Sequence, residues 1–338
     1  MAIPPVLAKT PRLGYSACMQ RILFITSTRI GDAVINSGVL DHLGRIYPDA
    51  KFTIACGPLA VPILENTPQL ERLIVLHKKP LGLHWPGLWR QVVATQWDRV
   101  VDMRGSAVAY LLRANERNVA GRYPYPDNKV REAANVIRAE PPPSPKIHVP
   151  ADAYARALGH LPAERQMLAI CPSASWPFKM WPADRFAELV RRLAGKGGPM
   201  AGAAVHIFGG PGDEEHAAPI LRVLPDAGIV DFTGKLHLMD VAALLKRARL
   251  FVGNDSGVMH IAAAMGAPTL GLFGPSDERR YGPWGENCAS VRGPRGFEEC
   301  RELAQSRDFK SHPESLLLDL STDAVYEAAC RLLERTSQ

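Results

Sequence analysis

The sequence predicts two Rossmann-like α/β domains facing a central cleft. Short apolar runs alternate with amphipathic stretches along nearly the whole chain, the pattern of strands and helices in succession. The runs are continuous rather than alternating, as in strands buried on both faces of a parallel sheet. Several end in a polar or glycine-rich turn that opens at once into a helix, and ligands gather at that edge of open α/β sheets. At 338 residues the chain exceeds one average domain, so two are expected.

In the first half, strands are expected at 21–27, 51–56, 72–76 and 99–102. Helices are expected at 32–46, 58–64, 86–96 and 107–114, with a last short strand at 119–122. From 123 to 150 the periodicity fails. Glu140-Pro-Pro-Pro-Ser-Pro145 excludes a helix and forms a linker or stiff crossover. A helix at 151–158 follows. The second half alternates again, with strands at 167–171, 203–208, 228–232, 250–252 and 269–273. Its helices are expected at 182–194, 213–223, 238–248 and 258–265, and an amphipathic helix at 323–334 closes the chain. The resulting division is a loose tail (1–20), a first Rossmann-like domain with its linker (21–150) and a second (151–320).

Composition sets the class. Hydrophobic residues make up 46% and charged residues 22%, and the net charge is +6. Lysine and arginine are scattered rather than blocked, and no zinc-finger spacing occurs. This suits an anionic ligand or an anionic membrane face, and nothing points to nucleic acid. Six cysteines without a CxxC pair fit reduced thiols of a cytoplasmic protein. No apolar run approaches the roughly 20 residues that span a bilayer.

Four turns carry the candidate chemistry. In Ser27-Thr28-Arg29-Ile30-Gly31-Asp32, Asp32 leads the first helix toward the cleft. There a carboxylate takes a proton from a hydroxyl, or else caps the helix. In the turn after the strand at 167–171, Lys179 precedes a helix start. A cation there is unfavourable unless an anion lies between, which points to phosphate, with Ser175 as a hydroxyl donor; a solvated lysine is the alternative. Gly209-Gly210-Pro211-Gly212-Asp213-Glu214-Glu215 offers carboxylates for ribose hydroxyls, or acids that match a helix dipole. In Gly253-Asn254-Asp255-Ser256-Gly257, the backbone N–H groups of Ser256, Gly257 and Val258 face an anion, and His260 lies on the first helical turn. Asp255 orients donors or caps; His260 is otherwise a satisfied buried histidine. No metal-ligating set stands out. Lys179, His260 and helix N-termini can stabilise leaving-group charge without a metal cation.

Five motifs in order make the chain resemble glycosyltransferase family 9, the ADP-heptose:lipopolysaccharide heptosyltransferases, over roughly residues 20–335. They are RILFITSTRIGDAVINSGVLDHL, DRVVDMRGSAVAYLLRA, PSASWPFKMWPADRFAELVRRL, HIFGGPGDEE and VGNDSGVMHIAAAMGAPTLGLFGPSDERRYGPWG. Where many members carry Asp-Thr-Gly, this chain has Asp255-Ser256-Gly257 and keeps the hydroxyl. The resemblance implies a GT-B fold and an inverting, metal-independent transfer of heptose from ADP-heptose to a lipid-linked lipopolysaccharide core sugar. It implies Asp32 as general base. Ser175, Lys179, Asp255, Ser256, Gly257, Val258 and His260 would surround the diphosphate, with Glu214 or Glu215 at the ribose and Leu236 at the adenine. Arg29, Arg104 and Arg122 would meet acidic groups of the acceptor. A final helix within 321–338 would cross back toward the first domain. No cofactor and no metal is implied, and attachment would be peripheral, at the inner face of the cytoplasmic membrane. Open alternatives are a family 9 transferase with another nucleotide sugar or acceptor, a sugar-nucleotide epimerase, and a non-catalytic nucleotide-sugar-binding homologue.

Overall fold

The computed structural model describes residues 20–121, 127–161, 165–223, 228–306 and 314–337. All but the last residue of the expected tail, and Arg122, lie outside the described residues.

The first half is built on strands β1 (Arg21–Ile25), β2 (Lys51–Cys56), β3 (Leu70–Val75), β4 (Trp97–Asp102) and β5 (Ala114–Val119). They form one parallel sheet in the order β3-β2-β1-β4-β5. Its helices are α1 (Ile30–Ile46), α2 (Val61–Leu64), α3 (His84–Val92), α4 (Lys129–Ile137) and α5 (Ala151–Leu158). The second half has strands β6 (Met167–Cys171), β7 (Ala204–Ile207), β8 (Ile229–Asp231), β9 (Leu250–Asn254), β10 (Thr269–Phe273) and β11 (Cys288–Arg292). They are parallel too, in the order β11-β10-β9-β6-β7-β8. Helices α6 (Ala183–Ala194), α7 (Glu214–Leu221), α8 (Leu238–Leu245), α9 (Gly257–Ala264), α10 (Glu278–Tyr281), α11 (Phe297–Gln305) and α12 (Thr322–Arg335) complete it. The central strands β1, β6 and β9 are almost wholly buried, which is why their sequences are continuous apolar runs.

The differences from the expected elements lie at sheet edges and in the connection between halves. The helix expected at 107–114 is a 3-10 turn, Ala107–Leu111, and β5 starts at Ala114, earlier than the strand expected at 119–122. Its sequence, ANERNV, is half exposed at the sheet edge, so it carries no apolar signal. Strand β11 is likewise a partly exposed edge. Within 123–150, α4 is a short helix capped by Asn128, whose side chain accepts from Val130 N–H at 3.0 Å. The proline run after it is a strap on α1: Lys146 N–H donates to Ser37 Oγ at 2.9 Å. Helix α12 does not cross back toward the first half. Its apolar stripe, with Val325, Ala329 and Leu332, is buried with Leu193 and Leu270 of the second half, and burying that stripe decides where it packs.

One buried cluster runs through both halves. It joins Ile22, Phe24, Val34 and Leu40 to Phe251, Met259 and Ile261, through the contact of α1 with α9. The same cluster holds Phe208 and Phe232, against which His206, 1% exposed, is packed. Burial, with His160 acting in the same sense, lowers its pKa from 6.5 to about 4. The folded form therefore resists a proton that the unfolded chain accepts. Stability is lost as pH falls through 6.5 and the loss is complete below about 4. His206→Gln is expected to lose roughly 3 kcal/mol less than the wild type between pH 7 and pH 4 in urea unfolding. Equal losses in the two proteins would remove His206 from the acid response.

Candidate active site

Each sheet reverses its strand order beside its first strand, between β1 and β4 in one and β6 and β9 in the other. Loops leaving neighbouring strands diverge at such a point and open a crevice. Asp32 follows β1 and Arg104 follows β4; Lys179 follows β6, and Asp255, Ser256 and Gly257 follow β9.

The two crevices meet where α1 and α9 touch N-terminus to N-terminus. A Cβ on Gly257 would lie 2.9 Å from Ile30 Cγ2 and 3.4 Å from the Gly31 nitrogen. A Cβ on Gly31 would lie 3.0 Å from His260 Cδ2 and 3.7 Å from Gly257 Cα. Any side chain on Gly257 would push the two backbones apart. Both helix ends are the positive poles of their dipoles, so the gap between them favours negative charge.

Asp32 is half-buried in the first turn of α1. It does not cap the helix: the N-cap is Arg29, with no side-chain cap bond. Its carboxylate instead accepts from Ser27 Oγ at 3.1 Å, and its charge acts on His260. His260 is buried. Burial holds its pKa below the ordinary 6.5, Asp255 and Asp32 push it back up, and Lys179 lowers it further. The imidazole is therefore neutral at pH 7.

Asp255 is the hub on the other side. Its Oδ2 accepts from Lys179 Nζ at 2.7 Å and from Ser276 Oγ at 2.5 Å. The anion expected beside Lys179 is thus already present in the protein itself. The turn that carries Ser276 is held by Arg292 on β11, which donates to the carbonyls of Gly274 and Ser276 and pairs with Glu278. The Lys179 loop is tied down by Asn254, fully buried. Asn254 accepts from Trp181 N–H at 3.0 Å and donates to the Pro172 carbonyl at 2.7 Å. Ser256 is the N-cap of α9, its hydroxyl accepting from Met259 N–H at 3.5 Å. The N–H groups of Gly257 and Val258 have no acceptor within the helix, as at any helix start.

Ser175 is exposed on the Lys179 loop, next to Trp176, which stacks on Phe178. Trp181 is buried packing, its indole donating to the Leu320 carbonyl at 2.8 Å. Glu214 turns back over its own loop, accepting from Gly212 N–H at 3.3 Å. Glu215 is 82% exposed beside His216. Leu236, after β8, is half-buried against the core. Gly209 joins these loops: a Cβ there would meet Thr233 Cγ2 at 2.9 Å and Ser173 Oγ at 3.3 Å.

On the first half, Arg29 is exposed at the start of α1. Arg104 lines a cavity of about 400 Å³ with Asn36, Lys129, Glu132 and Arg280. Asn36 lies one helical turn beyond Asp32 on the same side of α1. The backbone that presents Arg104 is fixed by fully buried Asp102, which accepts from Arg104 N–H and Ser106 N–H, each at 2.8 Å. Glu132, buried between Lys129 (2.6 Å) and Arg280 (3.0 Å), links α4 of the first half to α10 of the second.

The structure thus gathers Asp32, Lys179, Asp255, Ser256, Gly257, Val258 and His260 at one gap. Glu214 and Leu236 stand on neighbouring loops, and Glu215 faces solvent. Sequence reasoning missed Ser27, Asn254, Ser276, Arg292 and the Lys129–Glu132–Arg280 set. Ser27, Asn254 and Ser276 stood inside recognised turns; Arg292 and the pairing of Glu132 with Arg280 gain their meaning only from contacts distant in sequence. Among the described residues, no group of three or more His, Cys, Asp or Glu is placed to hold a metal ion, and no helix is long and apolar enough to cross a membrane.

Comparison with known proteins bears on the family and the fold. The sequence profile of glycosyltransferase family 9 (heptosyltransferase) matches residues 130–309. The chain is 24% identical, over an alignment 359 positions long, to lipooligosaccharide heptosyltransferase 2 of Haemophilus influenzae, covering 93% of this chain and 99% of that one. Its fold matches the structure of Escherichia coli ADP-heptose lps heptosyltransferase II with a TM-score of 0.73 and 22% identity, over 94% of this chain and 100% of the other. It also matches an E. coli heptosyltransferase solved with ADP-2-deoxy-2-fluoro heptose, with a TM-score of 0.65 and 19% identity, over 92% and 99%.

The glycine contact has a direct test. Gly257→Ala is expected to cost about 1–3 kcal/mol through overpacking against Ile30. Gly87→Ala, on α3 with open space around it, is expected to cost nothing. Urea unfolding of both variants reads the difference, and equal stability would show that the helix ends yield freely.

Proposed function

The chain belongs to glycosyltransferase family 9 and has the GT-B fold, and on that premise we propose that it transfers heptose from ADP-heptose to a lipid-linked sugar of a lipopolysaccharide core. One observation carries this reading. Asp32, a carboxylate that does not cap its helix, acts on buried His260 together with Asp255 and Lys179, where Gly31 and Gly257 bring the starts of α1 and α9 together. The full-length similarity to a lipooligosaccharide heptosyltransferase supports the choice of sugar.

In this reading the acceptor hydroxyl lies against Asp32. The carboxylate takes its proton as the oxygen attacks the anomeric carbon from the face opposite the diphosphate. The bond from that carbon to the diphosphate oxygen breaks, and ADP leaves with the electron pair. One displacement inverts the anomeric centre. Ser27 holds the carboxylate by its hydrogen bond.

Charge on the leaving diphosphate is met by Lys179, by the N–H groups of Gly257 and Val258, and by neutral His260 as a hydrogen-bond donor. This requires no metal ion. Lys179 has three protons; one binds Asp255 and the others are free for phosphate. Ser175 and Ser256 add hydroxyls at the rim. Glu214 serves the ribose in preference to Glu215, which faces solvent, and Leu236 flanks the adenine. The acceptor occupies the first half (21–150) and the donor the second (151–320). Arg29, Arg104 and Arg122 receive acidic groups of the acceptor, and the cavity beside Arg104 is the place for one of them. A lipid-linked acceptor puts the enzyme in the cytoplasm, peripherally at the inner face of the membrane.

Asp32→Asn is expected to lower kcat by about 10²–10⁴-fold while the Kd for ADP, measured by calorimetry, stays the same. Lys179→Met is expected to weaken ADP binding at least about tenfold. Wild-type turnover in Asp32→Asn would remove the base. Equal affinity for ADP, UDP and GDP would point to another nucleotide sugar, and ADP-heptose binding without turnover on any lipid acceptor to a non-catalytic homologue.

A further inference from the structure

The loops after β3 and β4 leave the same edge of the first sheet as Asp32 does, and they expose an apolar surface. Leu81 is 98% exposed, in a 3-10 turn (Pro80–Gly82) that leads into α3. Its φ is 54°, in the left-handed region. A leucine held there bears a steric cost, and it recovers nothing by burial within the chain. Leu83, Trp89, Tyr110 and Leu111 are exposed as well, Tyr110 at 68%. Trp89 and Leu111 lie together. The Trp89 indole donates to the Leu111 carbonyl at 3.3 Å, which joins α3 to the turn after β4. The Arg104 guanidinium lies 5.5 Å over the Trp85 ring.

The two segments that carry these side chains hold charge of one sign. No Asp or Glu occurs between Arg72 and Trp97, or between Met103 and Asn115. Lys78, Lys79, Arg90 and Arg113 in those segments are exposed, and none forms an ion pair among the described residues. Exposed leucines with tryptophan and tyrosine, ringed by unpaired cations, match the interface of an anionic bilayer. A folded acidic partner would fit the cations but leave the leucines in water.

We propose that this surface docks the protein on an anionic lipid bilayer, with Leu81 and Leu83 inserted and Lys78, Lys79, Arg90 and Arg113 at the headgroups. The inference gives the reading of a lipid-linked acceptor its physical contact, since the surface borders Arg104 at the acceptor cleft. It is tested without donor or acceptor, so either can fail alone.

The experiment is sedimentation of the full chain with phosphatidylglycerol–phosphatidylcholine vesicles and with phosphatidylcholine vesicles, alongside calorimetric ADP binding. The wild type is expected to sediment with the anionic vesicles at least about tenfold more strongly than with the neutral ones. Leu81→Asp/Leu83→Asp and Lys78→Glu/Lys79→Glu are each expected to lose most of that binding. Leu158→Asp, an exposed leucine on α5, is expected to keep it. Unchanged ADP affinity in the variants shows that they fold. Absence of vesicle binding by the wild type, or equal binding by all variants, overturns the proposal. Loss of ADP binding by the wild type with vesicle binding intact would instead overturn the donor assignment.

Discussion

The contact of Gly31 with Gly257 is the constraint on which the site depends. It lets the first turns of α1 and α9 approach so closely that a Cβ on either glycine would meet atoms of the other helix. Two positive helix poles then face one gap. Such an arrangement is unfavourable by itself. The chain offsets it with carboxylates, Asp32 on one side and Asp255 on the other. The buried cluster that runs from Ile22 and Phe24 to Met259 and Ile261 holds the contact in place.

The two carboxylates have different surroundings, and this divides their roles. Asp255 is committed: Lys179 and Ser276 both bind its Oδ2. Asp32, partly exposed, accepts from Ser27 and has no ion pair among the described residues. A committed carboxylate orients its cation; an open one is free to receive a proton. His260 lies between them, buried and neutral, so it adds a donor without adding charge. Fully buried Asn254 fixes the Lys179 loop to the end of β9, so the cation and the helix start keep one geometry.

Most of the fold was legible in the sequence because its central strands are buried on both faces and therefore written as apolar runs. What escaped was at the edges. ANERNV in β5 and CASVR in β11 are half exposed, and a half-exposed parallel edge strand has neither an apolar run nor a clear alternation. The last helix was placed by analogy, and its own apolar stripe puts it on the second sheet. The candidate site was legible where a strand ends in a polar turn before a helix, as at Asp32, Lys179 and Asp255. Its supports were not. Ser276 touches Asp255 across 21 residues and Arg280 touches Glu132 across 148, and no local pattern encodes such contacts. The basic and aromatic residues of the outer surface are likewise scattered in the chain and gathered only by the loops after β3 and β4.

The surface and the gap belong to one geometry: loops of the same sheet edge carry Asp32 on one side and the exposed leucines on the other. The central claim is a direct displacement in that gap, with Asp32 as base. The stereochemistry of the product tests it most directly. The anomeric configuration of the transferred sugar is to be read by NMR from the one-bond carbon–proton coupling at its anomeric centre, against that of the donor. Opposite configurations are the result this account requires. A product that keeps the donor's configuration would contradict it, because retention needs two displacements or a front-face path that a single opposed base does not provide.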